Sequence, residues 1–173
     1  DAVARLDRVS GRYAGVVVLD ELDLEVRAGR LTVVAGRSGS GKSTLLRALT
    51  GLAPVDAGRV TLLGSDVGAL DRDARAGVRR RGVAVAAQGG SLVDTLDAVG
   101  NLALARAARG LPEDDERIAS LLDLLGLAPL RHRSVGSLSG GERQRVAVAR
   151  TLAVEPVLAI LDATRPHHLA YTP

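Results

Sequence analysis

Apolar residues recur along the chain with two different periods, and the switches between them mark the elements. Residues 3–9 alternate as a strand, and Leu22, Leu24 and Val26 alternate with acids, the pattern of a half-exposed antiparallel strand. LTVVA at 31–35 is instead a continuous apolar run, which predicts a strand buried on both faces. GRSGSGKST, 36–44, follows it and runs into TLLRALTG, a predicted helix that Gly51 is placed to stop. GRVTLLG at 58–64 and GVAVAA at 82–87 are further predicted strands, separated by an Arg- and Asp-rich stretch that reads as a short exposed helix. From about residue 91 leucines fall at helical spacing, first in NLALARAARG and then in PEDDERIASLLDLLGL, where acids occupy the first turn. SVGSLSGGE opens another helix, ERQRVAVARTLA, and VLAIL at 157–161 is a second wholly apolar strand ending at Asp162. Internal repeats are absent. The pattern divides the chain into a mixed α/β part at 1–90, a helical insert at 91–155 and a last strand and tail at 156–173.

Composition narrows the function classes. With 173 residues, 46% of them hydrophobic and 25% charged, the chain has the size and apolar content of a globular domain. It has no cysteine, which excludes a disulfide scaffold, a thiolate zinc site and a cysteine nucleophile. No apolar run approaches the roughly 20 residues of a membrane-spanning helix, and the N-terminus carries no secretory signal pattern. The chain starts at Asp1 and contains no methionine, so a processed or incomplete product is expected. A net charge of +3 raises the question of nucleic acid, but acids and bases are interspersed. The one compact basic run, Arg79, Arg80 and Arg81, reads as a solvated edge before a strand. Tyr13 and Tyr171 are the only aromatic residues, too few for stacking platforms, and nucleic acid is not an expected partner.

Twenty-two of the 23 basic residues are arginine, and the single lysine is Lys42. A compact ammonium fits among phosphate oxygens as a planar guanidinium does not. Gly36 to Thr44 fits G-x-x-x-x-G-K-S/T between a predicted buried strand and a helix, the context that motif requires. Gly36, Ser38, Gly39, Ser40 and Gly41 would form a loop whose N–H groups turn inward around a phosphate, with the helix N-terminus adding its positive end. Lys42 would reach the β- and γ-phosphates, Ser43 would coordinate Mg²⁺, and Thr44 would steady the α-phosphate side. Asp162, ending an apolar strand, suits the magnesium side of such a site.

With these residues in place the chain resembles the ATP-binding subunit of an ABC transporter from its N-terminus to about Asp162. LSGGERQR at 138–145 is similar to the family's signature motif, and Ser139 lies 97 positions beyond Lys42. The resemblance implies a RecA-like P-loop NTPase core with a mainly parallel sheet, an N-terminal antiparallel β subdomain and an inserted helical subdomain. It further implies ATP and Mg²⁺ as cofactors and a second ATP-binding subunit arranged head to tail, so that Ser139, Gly140 and Gly141 cap a γ-phosphate held by the other subunit. A transmembrane permease partner and a peripheral place on the cytoplasmic face of the cell membrane follow from the same resemblance. Gln88 falls at the family's Q-loop glutamine, a contact to the metal and its water, and Tyr13 at its adenine-stacking aromatic; a solvated Gln and simple packing of the Tyr remain the alternatives. QGGSLVDTLDAVGNLAL is most similar to the lipoprotein-release, macrolide-export and cell-division branch, although Gly100 stands where those relatives carry Glu.

The chain departs from the family pattern near its end. Ala163 occupies the position of the catalytic glutamate, and a methyl group accepts no proton. Glu155, the nearest carboxylate upstream, is seven residues from Asp162, roughly 23 Å at strand rise. His167 and His168 come too soon after Asp162 to match the switch histidine and read as exposed polar residues. The strand that should follow Asp162 is not encoded before Pro173, which predicts a truncated product with a gap beside the phosphate-loop strand. Two readings follow: an ATP-binding transport subunit, or a nucleotide-binding module without turnover. A cassette ATPase acting on ribosomes or DNA is disfavoured, because paired cassettes and long coiled coils are missing.

Overall fold

The computed structural model describes residues 1–13, 15–37, 39–86 and 92–162. The chain divides into two compact units, Asp1–Val83 and Ala84–Pro173.

The first unit is built on an antiparallel sheet of four strands: β1 (Ala2–Tyr13), β2 (Val16–Arg27), β3 (Ala57–Leu62) and β4 (Ser65–Asp66), in the order β2-β1-β3-β4. Leu6 lies opposite Leu24 on one side and Val60 on the other, and Ala4 opposite Val26 and Leu62. These residues give the sheet its apolar face, with Ala4, Leu6, Val60 and Leu62 each no more than 2% exposed. The parity of burial changes along β1, from Ala4 and Leu6 to Val9, because a bulge at Arg8 (φ 46°) inserts one residue into the ladder. β2 makes the same change at Glu21 (φ 41°), between buried Leu19 and the Leu22–Leu24–Val26 series. The backbone N–H groups freed at both bulges find side-chain acceptors: Arg8 N–H donates to Asp23 Oδ1 at 2.7 Å and Glu21 N–H to Ser10 Oγ at 3.0 Å.

Helix α1 (Lys42–Leu49) buries Leu45, Ala48 and Leu49 and packs against β1, β2 and β3. Gly51 (φ 65°) ends it, as the sequence predicts. Helix α2 (Arg72–Arg80) is short and polar, and is capped by Asp71, whose carboxylate accepts the Ala74 N–H at 2.8 Å. The expected solvated basic run holds structure together instead. Arg79 reaches back to the carbonyls of Thr50 and Gly51, and Arg81 donates to Ser65 Oγ at 2.7 Å.

One element differs from the sequence reading. LTVVA at 31–35 is neither a strand nor buried: Leu31 is 88% exposed and Val33 76%, and no described strand pairs with it. A strand buried on both faces needs ladder partners as well as apolar side chains, and the apolar run specifies only the second of these.

In the second unit, β5 (Val83–Ala86), which begins at the boundary, pairs with β6 (Leu158–Leu161). The Asp162 N–H donates to Ala86 O at 2.9 Å, which brings the C-terminal ends of both strands together and makes the pair parallel. Among the described residues this unit also holds three α-helices: α3 (Ala98–Ala108), α4 (Asp115–Leu124) and α5 (Gly140–Ala153). Val146, Ala149 and Ala153 lie on one face of α5 at helical spacing and pack with Leu102, Ile118, Leu122, Leu127 and Val135. Arg106 is buried within this unit at 2% exposure. Its guanidinium donates to Ala153 O at 2.7 Å, Pro112 O at 3.1 Å and Glu155 Oε1 at 2.9 Å, and so ties the ends of α3 and α5 together.

Candidate functional site

In the glycine-rich loop that precedes α1, Gly36 and Gly41 leave no room for a Cβ. Gly41 has φ 90°, and a Cβ there would overlap Val18 Cγ1 and lie 3.3 Å from Val18 O, so β2 passes directly against the loop. At Gly36 an added Cβ would come within 2.7 Å of Ser40 Oγ. The Lys42 ammonium folds over the loop and donates to Gly36 O at 2.8 Å and Arg37 O at 2.7 Å, with Ser40 Oγ at 3.4 Å. Its charge is thereby held at the mouth of α1.

That helix begins differently from the other described α-helices. Asp71, Asp97, Asp114 and Ser139 cap α2, α3, α4 and α5 through their side chains. At α1 the N-cap is Gly41, no side chain caps the first turn, and no acid lies in it. The first-turn N–H groups therefore point from an uncapped positive helix end into a loop with an ammonium at its edge. This combination suits a tetrahedral oxyanion. Ser43 and Thr44, the first hydroxyls of the helix, follow Lys42 directly.

In the second unit the N-terminus of α5 carries a complete capping box. Ser139 N–H and Oγ–H both donate to Glu142 Oε2 at 2.7 Å, and Glu142 N–H donates back to Ser139 Oγ at 3.4 Å. The Ser139 hydroxyl, then its backbone N–H, with Arg145 and Arg133 nearby, hold the Glu142 carboxyl below its ordinary value. Gly140 and Gly141 need no small side chain for packing within this chain. A Cβ on Gly140 would meet nothing within 4 Å, and one on Gly141 only the end of the Arg145 side chain. Beside the capping box, both glycines leave the surface of the first turn free of side chains.

The remaining predicted residues divide by position. Tyr13 ends β1 at the hairpin tip and is 64% exposed, so simple packing does not account for it. Asp162 sits at the C-terminal edge of β6, half-buried, as the sequence implies. Ser38, Gln88, Ala163, His167 and His168 lie outside the described residues. Sequence reasoning assigned no role to Asp94, Asn101, Arg106 or Arg143. Asn101 is 1% exposed, and its amide accepts the Val93 N–H and donates to Val93 O and Asp97 O. Arg143, inside the signature stretch, donates to Asp94 Oδ1 at 2.7 Å and Val135 O at 3.0 Å. A polar residue on the apolar face of α3 was the available signal for Asn101. For Arg143 the sequence offers none, since its partner is 49 residues away.

A P-loop fold with a phosphate-shaped helix start and a separate signature helix defines an ABC-type nucleotide-binding cassette, and comparison with known proteins agrees. The ABC transporter family model matches residues 19–164, and the chain belongs to this family. It is similar to the Fe(3+) ions import ATP-binding protein FbpC of Streptomyces coelicolor, 45% identical over 159 residues that make up 91% of this chain and 44% of that protein. It is also similar to the methionine import ATP-binding protein MetN of Rhizobium meliloti, 40% identical over 166 residues, 94% of this chain and 46% of that protein. The chain thus spans less than half the length of these curated relatives. Among solved structures it resembles a dimeric ATP-binding cassette in a post-hydrolysis state bound to ADP and Pi, with a TM-score of 0.78 and 28% identity, covering 91% of this chain and 72% of that one. These relatives correct the expected lipoprotein-release, macrolide-export and cell-division branch, because both curated relatives carry import names. Of the QGGSLVDTLDAVGNLAL stretch that suggested that branch, the described residues 92–104 are a short loop and the start of α3, where short similarity reflects local packing as much as lineage.

Proposed function

We propose that the chain binds Mg²⁺-ATP as the nucleotide-binding part of a membrane import system. The observation that carries this reading is the start of α1, which lacks a side-chain cap, has no acid in its first turn, and is covered by the ammonium of the chain's only lysine. On this reading the loop amides and Lys42 hold the β- and γ-phosphates, Thr44 steadies the α-phosphate side, and Tyr13 stacks on adenine at the hairpin tip. The Ser43 hydroxyl and Asp162 carboxylate are hard oxygen donors of the kind Mg²⁺ takes, with Gln88 as a further candidate; the ion would neutralise charge on the β- and γ-oxygens. Ser139, Gly140 and Gly141 would face the nucleotide of a second cassette, an approach that the two glycines leave free of side chains.

The import names of the relatives support a permease partner and a peripheral position on the cytoplasmic face of the membrane. No described helix is long and apolar enough to cross a membrane. Binding and turnover separate in this chain. Ala163 follows Asp162, and the nearest upstream carboxylate, Glu155, is engaged by Arg106 and Arg117. The reading is tested by titrating the protein with a fluorescent ATP analogue and Mg²⁺. Binding that Lys42→Ala weakens about tenfold or more supports it, and equal binding by both proteins refutes it. Replacing Ala163 by Glu then asks whether a carboxylate there accelerates hydrolysis.

A further inference from the structure

The signature helix and the segment 92–97 are fastened to each other more firmly than two exposed elements need to be. From α3, the fully buried Asn101 side chain closes a ring with Val93, accepting its N–H at 2.9 Å and donating to its carbonyl at 3.1 Å. From α5, Arg143 spans to Asp94 Oδ1 with one guanidinium nitrogen and to Val135 O with the other. The segment 134–136 completes the clamp: Ser134 Oγ and the Gly136 N–H both donate to Asp94 O, and the Val135 N–H donates to Leu96 O. Gly136 is itself closely fitted, since a Cβ there would lie 3.2 Å from Asp94 O.

An exposed ion pair contributes little to stability, so the Arg143–Asp94 contact is better explained by what it holds in register. Arg143 lies in the first turn and a half of α5, four residues after Ser139. Asp94 lies six residues after Gln88. We propose that Arg143 is a positioning residue, which locks segment 92–97 to the N-terminus of α5 so that an anion bound at Ser139–Gly141 is felt at 92–97. The relay half of this inference rests on the nucleotide reading above, whereas the lock does not. The chemistry of the pair suits such a lock, because the planar guanidinium fixes both the distance and the orientation of its two acceptors, and a lysine would keep only one.

Hydrogen exchange on the complete protein tests both halves. Without nucleotide, Arg143→Gln and Asp94→Asn should each raise exchange at the Leu96, Val135 and Gly136 amides about tenfold. The double variant should be no faster than Arg143→Gln, and Arg143→Lys should fall between. Amides of α4 at 118–124 should not change, which separates a local release from general destabilisation. If Arg143→Gln accelerates α4 as well, Asp94→Asn, a change at an exposed carboxylate, decides. With Mg²⁺ and a non-hydrolysed ATP analogue, 92–97 should gain protection in the wild type and lose that gain in Arg143→Gln, while affinity stays within twofold. Unchanged exchange at these amides in both single variants overturns the lock. Nucleotide binding without protection of 92–97 in the wild type, or protection that survives in Arg143→Gln, overturns the relay. Failure of the wild type to bind nucleotide at all refutes the functional reading instead, and the nucleotide-free measurements still decide the lock.

Discussion

At the scale of single residues, the loop before α1 carries residue types that each have one physical use. Lys42 was legible as the lone ammonium in an arginine-rich chain, and its Nζ is found at the mouth of α1 on Gly36 O and Arg37 O. Charge-assisted hydrogen bonds of this kind contribute about 1.5–3 kcal/mol, so Lys42→Ala should weaken ATP binding by roughly 10- to 100-fold, measured by equilibrium titration. Gly41→Ala is expected to damage both fold and site, since φ 90° and the approach of Val18 each exclude a Cβ. The strain should cost about 1–3 kcal/mol, seen as a lower melting temperature together with lost ATP affinity. Arg143 and Asn101 were not legible in the same way. Their importance lies in partners brought close by folding, and nothing in a local stretch encodes a bond across 49 residues.

Among the elements, the helices were readable from their periodicity, and the structure adds the caps. Aspartates at 71, 97 and 114 and Ser139 with Glu142 each mark a true start. The capping box gives α5 a pH dependence whose sign is fixed. Glu142 titrates below its ordinary 4.5 when folded, so the stability it adds is complete above that value and is lost as pH falls through the lowered one. Glu142→Gln should therefore lower the melting temperature at neutral pH and flatten the acid limb of its profile, with variant and wild type converging in acid below the lowered value. Asn101→Ala should cost about 1–3 kcal/mol by chemical denaturation, because the part-buried Val93 N–H would lose its acceptor and the bonds to Val93 O and Asp97 O would go with it. The strand expected at 31–35 was misread for a general reason. An apolar run states that side chains prefer to leave water, but the ladder that makes it a strand depends on neighbours the run does not contain.

For the whole molecule, the sequence conveyed the α/β composition, the antiparallel start and the helical insert, since each is a sum of local patterns. The branch of the family was not conveyed, being carried by differences too small and scattered for one short stretch to report. Exposed Leu31 and Val33 make a further property predictable. Leu31→Ser with Val33→Thr in the 173-residue chain should lower light scattering and binding of an apolar dye while leaving ATP affinity unchanged. The ammonium folded over Gly36 and Arg37 has a different kind of consequence, analytical in nature. Apart from the terminal amine, Lys42 is the only primary amine in this chain. An acylating reagent therefore carries a single internal address, and the mass of one peptide reports whether that nitrogen was shielded. Occupancy of the cradle becomes countable in a crude mixture, without purification or any assay of turnover.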